Sequence, residues 1–364
     1  MKNYYLTSES VTEGHPDKIC DKISDYILDE ALKQDKNSKM AVEATIKDDL
    51  ILIYGEATTN AKLNYEQLAK QVLKEIGYTE EYNVIVKVNK QSIEINNAVN
   101  KDKIMAGDQG IMFGYATNET KEYMPLTILL ANKLAKRLTD VRKQAKDSIL
   151  EPDGKTQVTI EYENDLPKRV DTIIIASQHK ENNDYEELKK LIIDEVIKPI
   201  IPKELLDENT KILINTSGKF TIGGSFGDSG TTGRKIVADT YGGIGKVGGG
   251  CFSSKDPSKV DRSGAYYARY VAKNIVAHNL ADKCEIELAY AIGEEYPISV
   301  YINTFNTNKV HIEKIYDYVN KNFNFSVDNI IKELDLLNPI YYNLAAYGHF
   351  GRTDLNLTWE QIKS

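Results

Sequence analysis

The amino-acid sequence predicts an α+β protein of three similar βαβ-type units, each a small mixed sheet with helices on one face. Two observations carry this. At 364 residues the chain exceeds what one hydrophobic core usually serves, so two or three domains are expected. A helix, a hairpin and a second helix also recur three times in order, with helix-to-helix intervals of about 47, 60 and 48 residues counted from Lys18, Pro125 and Gly264. A third feature stands apart: Gly218–Ser263 fits none of the three patterns, and a loop-rich stretch of that size in a compact protein is usually functional.

The first unit opens with a helix expected over Lys18–Lys33, where Ile19, Ile23, Ile27 and Ala31 repeat every fourth residue. A hairpin of Met40–Ile46 and Leu50–Tyr54 turns at Asp48-Asp49, and a helix over Tyr65–Ile76 and a strand near Val84–Val88 follow. The second unit has a helix from Pro125 to Lys143, a hairpin of Gln157–Tyr162 with Val170–Ser177, a helix over Tyr185–Ile197 and a strand Ile212–Asn215. The third has a helix over Gly264–His278, strands Glu285–Ile292 and Ile298–Phe305, and a helix Ile312–Asn322. Boundaries are expected at 1–98, 106–222 and 223–364, with terminal strands exchanged between units.

The net charge of −8 argues against general binding to nucleic acid or to an anionic membrane, since both need a positive field. No apolar run approaches the roughly 20 residues that cross a bilayer. The amino terminus has no apolar core flanked by basic residues, so no signal peptide is expected. Cys20, Cys251 and Cys284 have no metal-ligand spacing and read as reduced thiols of a cytoplasmic protein.

Within the odd segment, Arg234–Arg262 holds six basic and three acidic residues, a net charge of +3 against −8 for the chain. Glycines 242, 243, 245, 248, 249 and 250 would let backbone N–H groups turn toward an anion. Lys255 and Lys259 add point charges, and Asp261 offers oxygen to a hard cation such as Mg²⁺. Together these suit a metal–polyphosphate; a flexible glycine linker is the plainer alternative. No Walker loop is present, and although 243–248 matches the dinucleotide pattern, a Ser-rich loop follows where an apolar helix should start.

A second cluster is Gly14-His15-Pro16-Asp17-Lys18, where Pro16 suits the first helical position and Asp17 the positive helix end. Alone, it reads equally well as an ordinary helix start. Glu43 interrupts a strand, and an inward-facing carboxylate there would need a cation.

Taken together, the motifs resemble the methionine adenosyltransferase (S-adenosylmethionine synthetase) family from end to end. GHPDKI at 14–19, GEATT at 55–59, GDQGIMFGYATNET at 107–120, GDSGTTGRKIVADTYGG at 227–243, GGGCFSSKDPSKVDRS at 248–263 and AAYGHFGR at 345–352 carry the likeness. The resemblance implies three similar domains around a pseudo-threefold axis and a displacement in which methionine sulfur attacks C5′ of ATP. The triphosphate leaves whole and is then split to phosphate and pyrophosphate. A kinase or ligase cutting between ATP phosphorus atoms, and a non-catalytic nucleotide binder, are the rival readings.

Carried over by motif, the resemblance places His15 at the leaving oxygen, and Lys155, Arg234, Lys235 and Lys255 on the polyphosphate. It places Asp153, Gly154, Lys219, Phe220 and Cys251 at the nucleotide, with Phe220 stacked on adenine, and Asp228 at both substrates. Glu56, Gln91, Asp108, Lys259 and Ile292 take the methionine end. Asp17 and Asp261 would hold Mg²⁺, two ions per site, and Glu43 a K⁺. The site would lie between two subunits of a dimer, itself paired into a dimer of dimers. Some positions depart from the family pattern. Ile93-Glu94 replaces Pro-Asp, the lid at 96–105 is a few residues short, Lys219 replaces arginine, Cys251 alanine and Ser254 glycine. Cys251 is thereby expected to put an oxidisable thiol against the phosphates.

Overall fold

In the computed structural model, residues 3–90 and 103–363 are described. Eleven strands among them form three sheets. The strands are β1 (Asn3–Val11), β2 (Lys39–Lys47), β3 (Leu50–Thr58), β4 (Asn83–Asn89), β5 (Gly110–Thr117), β6 (Leu150–Glu163), β7 (Leu166–His179), β8 (Lys211–Ile214), β9 (Gly230–Thr231), β10 (Lys283–Tyr290) and β11 (Ser299–Asn303). The main helices are α1 (Pro16–Gln34), α2 (Tyr65–Ile76), α3 (Leu126–Gln144), α4 (Tyr185–Leu191), α5 (Val260–Ala277), α6 (Ile312–Asn322) and α7 (Val327–Glu333).

The sheet orders are β4-β3-β2-β9, β1-β6-β7-β8 and β11-β10-β5. Each is built on a hairpin, and each hairpin is flanked by an antiparallel strand from elsewhere in the chain. The pattern is cyclic: β1 before the first hairpin joins the second, β5 before the second joins the third, and β9 before the third joins the first. The first two sheets are mixed, because β4 and β8 run parallel to their neighbours. The third is antiparallel throughout its described strands.

The long helices pack where the apolar periodicity requires. Ile19, Ile23, Ile27 and Ala31 of α1 are fully buried, and α1 lies on β2. Helix α3 covers β6 and β1, and α5 covers β5 and β10. Gly114 allows the closest approach: a Cβ there would lie 2.0 Å from the backbone of Ala268 on α5. One core joins the first and third sheets through α1, α5 and Trp359; a second fills the central sheet under α3 and α4.

Three elements depart from periodicity for visible reasons. β1 has polar inward residues, Ser8 and Ser10, satisfied by Gly242 O and Asn132 Oδ1. β9 is only two residues long, so it has no period to read. The helix expected to Ile197 widens into a π-turn over Ile192–Ile197. Pro199 has no N–H for the Glu195 carbonyl, which accepts instead from Arg137 Nε at 2.7 Å. No described helix is long and apolar enough to cross a membrane.

Candidate active site

The expected residues gather in two groups, and no hydrogen bond or ion pair links the groups among the described residues. The first forms where α1 begins. His15 caps the helix, its Nδ1 accepting from Asp17 N at 3.2 Å. Acceptance at Nδ1 leaves the proton of the neutral ring on Nε2. Burial, and then the Lys235 ammonium, push the His15 pKa down to about 3, against smaller opposition from Asp17. The 4.0 Å spacing between Nδ1 and Asp17 Oδ2 is therefore not an ionic bond.

Asp17 is 1% exposed, and its Oδ1 accepts from Thr231 N at 2.9 Å. Burial opposes its ionisation, but the Lys235 hydrogen bond and the Thr231 N–H outweigh that and hold its pKa low. Arg234 Nε lies 3.6 Å away. The loop around His15 is tied to the one bearing Asp153 and Lys155: Thr12 N donates to Gly154 O at 2.9 Å and Thr12 Oγ1 to Pro152 O at 2.7 Å. Gly14 permits the contact, since a Cβ there would sit 2.4 Å from the Pro152 backbone. Asp153 accepts from Gly224 N at 2.9 Å, and burial raises its pKa to about 6. Asp228 and Lys155 both act on His15 through space. This group thus contains His15, Asp17, Asp153, Gly154, Lys155, Asp228, Arg234 and Lys235, and the Lys219-Phe220 loop joins it through Gly224.

The second group lies along β2, the start of β5 and the start of α5. Lys255 pairs with Asp261 and bridges backbone to backbone with Ala41 on β2. Burial opposes the charge on Lys255, but the nearby Cys251, Asp261 and Asp108 raise its pKa. Gly107 N donates to Ser258 O, and Ala106 exchanges backbone bonds with Gly293 and Glu294, so Asp108 and Ile292 lie close by. Glu56 stands two register positions from the Glu43–Tyr54 pair, on the same face of the first sheet and opposite Ala41. Gln91 lies outside the described residues, as does most of the lid segment.

Several expectations change. Glu43 does not point into the core: it alternates with buried Val42 and Ala44 and lies on the half-open face beside Tyr54. Lys259 is buried, its ammonium donating to Asp256 at 2.7 Å. Four of the six glycines of 242–250 admit close neighbours. A Cβ would meet Ser8 from Gly242, Tyr115 and Tyr241 from Gly245, the Ile111 carbonyl from Gly248 and the Asp261 carboxylate from Gly250. Burial pushes the Cys251 thiol up to about 11, against the pull of Lys255, which disfavours the thiolate. Ser254, where the family pattern has glycine, adopts φ 82° and leaves its Oγ buried without a partner among the described residues.

Residues that the motifs did not reveal support both groups. On α1, Asp21, Asp25 and Asp29 form a buried column at four-residue spacing. Asp21 accepts from Gly233 N beside Arg234, and Lys18 links Asp21 to Asp239. Asp25 pairs with Arg262 through two bonds of 2.7–2.8 Å and accepts from Ser253 Oγ and Ser254 N. The four-residue acidic spacing was the available signal, but only burial distinguishes it from a solvated face.

The cyclic three-sheet α+β fold thus carries two Asp–Lys pairs and a buried histidine that caps a helix. The chain belongs to the S-adenosylmethionine synthetase family. It matches that family's N-terminal domain over residues 3–103, its central domain over 103–220 and its C-terminal domain over 222–361. It is 51% identical over 381 aligned residues to the S-adenosylmethionine synthase of Finegoldia magna, covering 99% of this chain and 97% of that protein.

Proposed function

We propose that the chain makes S-adenosylmethionine from L-methionine and ATP by in-line attack of sulfur on C5′, releasing triphosphate that the same site hydrolyses. The observation that carries this reading is His15: a buried, neutral imidazole with its proton on Nε2, set among Lys155, Lys235 and Arg234. A fixed neutral donor beside fixed cations suits an oxygen that gains charge as the C5′–O5′ bond breaks, because none of the groups must reorganise. Arg234, Lys235 and Lys155 then hold the triphosphate, with Lys255 meeting it from the second group. Phe220 and Lys219 receive the base, Asp153 and Gly154 flank the nucleotide, and Asp228 contacts both substrates. Cys251 approaches through its backbone. Glu56, Gln91, Asp108, Lys259 and Ile292 receive methionine.

Among the described residues no three His, Cys, Asp or Glu side chains cluster as a metal cage. Asp17 and Asp261 are instead single carboxylates, each beside a lysine. This donor set suits Mg²⁺, which takes one or two carboxylates and completes its shell with phosphate oxygens and water. Bound there, Mg²⁺ would neutralise the departing polyphosphate. Glu43, half-open and beside Tyr54, would help hold K⁺.

The family resemblance places the site between copies of the chain, as a dimer and then a dimer of dimers. The open sheet faces carry apolar residues suited to that contact, including Ile85 (54% exposed) and Ile111 (45% exposed).

Incubation with methionine, ATP, Mg²⁺ and K⁺ should yield S-adenosylmethionine, phosphate and pyrophosphate by mass; release of ADP or AMP would overturn the assignment. Asp261→Asn should raise the Mg²⁺ needed for half-maximal rate about tenfold, since one anionic ligand oxygen is lost. An unchanged metal titration would count against Asp261 as a ligand.

A further inference from the structure

The last residues of β7, Ser177, Gln178 and His179, all make polar contact with the segment Asn215–Gly224. Asn215 Oδ1 accepts from Ser177 N at 2.8 Å, and its Nδ2 donates to Ser177 O at 3.0 Å. Gln178 Nε2 donates to Thr221 O at 3.1 Å, while its Oε1 accepts from Asp153 N at 3.2 Å. His179 takes up both backbone groups of Phe220. Its own N–H donates to Phe220 O at 2.9 Å, and Phe220 N donates to the ring Nε2 at 3.2 Å.

With Nε2 accepting, the neutral ring carries its proton on Nδ1, which lies 2.9 Å from Lys180 O. The imidazole is only 7% exposed. Gly223 is held just as closely, since a Cβ there would stand 2.5 Å from Gln178 Cδ. Phe220 lies in neither a strand nor a helix, and His179 partners both of its backbone groups. Lys219, next to it, is exposed.

We propose that His179 and Gln178 are positioning residues for the nucleotide base. They lock the Phe220-Thr221 backbone to the end of β7 and to Asp153, so the platform is in place before ATP arrives. This rests on the reading of Phe220 as the adenine platform and adds two residues that touch no substrate. Preorganisation of this kind lowers the ordering cost of binding. Losing it falls on ATP affinity, while reactions of a ligand without a base are largely spared.

The test compares the full-length wild type with His179→Leu, His179→Gln and Gln178→Met. For His179→Leu, which removes the acceptor of the Phe220 N–H, the ATP KM should rise about tenfold with the methionine KM within about twofold. Hydrolysis of added inorganic triphosphate, which has no base to place, should fall by less than about threefold. Glutamine can offer an acceptor oxygen near the Nε2 position, so His179→Gln should recover most of the ATP affinity.

Equal loss in both reactions would reduce His179 to general structural support and overturn the proposal. So would an unchanged ATP KM, or a His179→Gln as impaired as His179→Leu. If His179→Leu does not fold, Gln178→Met carries the test: its ATP KM should rise about threefold, and no rise refutes the clamp. Failure of the wild type to form S-adenosylmethionine would instead refute the underlying function.

Discussion

Replacing His15 with alanine is expected to slow sulfonium formation about 10²–10³-fold while raising the ATP KM only about threefold. The asymmetry follows from where the ring acts. A neutral Nε2–H gives little to a bound ether-like oxygen and much more to the anionic oxygen that forms as C5′ departs. Lys155, Arg234 and Lys235 remain to hold the phosphates, so ground-state binding is largely kept. Because burial keeps the ring neutral down to about pH 3, His15 itself should put no step into the rate between about pH 5 and pH 8. Single-turnover measurement of S-adenosylmethionine against pH tests both statements. Unchanged turnover, or a loss lying wholly in the ATP KM, would remove His15 from the leaving-group role.

Asp25→Ala should destabilise the protein by about 3–5 kcal/mol, the cost of leaving a buried charge without its partner. Arg262 is fully buried, with its guanidinium on Asp25 and over the Tyr341 ring at 4.2 Å. Burial opposes its charge, yet Asp25 more than compensates and raises its pKa well above the usual arginine value. The same carboxylate fixes Ser253 and Ser254, so the loop leading to Lys255 loses its anchor as well. Urea unfolding measures the stability change, and a double variant, Asp25→Leu with Arg262→Met, should recover a substantial part of it. A single-variant change within about 0.5 kcal/mol would mean that solvent or another group neutralises Arg262.

Much of the scaffold was legible because burial and period coincide. Helix α1 keeps its apolar residues every fourth position, and the hairpin turn at Asp48-Asp49 lies where the apolar runs break, with Asp48 at φ 50°. Strand β1 was not legible, because its inward side chains at Ser8 and Ser10 are polar and find partners more than a hundred residues away. The first site group could be approached from local motifs, since a helix start is written in adjacent residues. Asp25, Gln178 and His179 could not. Their partners, Arg262, Thr221 and Phe220, lie 237, 43 and 41 residues away, and nothing local signals the pairing.

By itself the sequence determined the family, the order of helices and hairpins, and the residue types the chemistry needs: a histidine at a helix start, and carboxylates interleaved with lysines. These are matters of local spacing and of motifs in order. Only the tertiary structure decided which nitrogen of His15 carries its proton and that Lys259 turns inward to Asp256. It alone decided that the glycines of 242–250 chiefly admit close neighbours and that each hairpin is completed by a strand from another part of the chain. The physical reason is the same in each case. Protonation, side-chain direction and strand pairing depend on burial and on partners far away in the chain, and those exist only once the chain has folded.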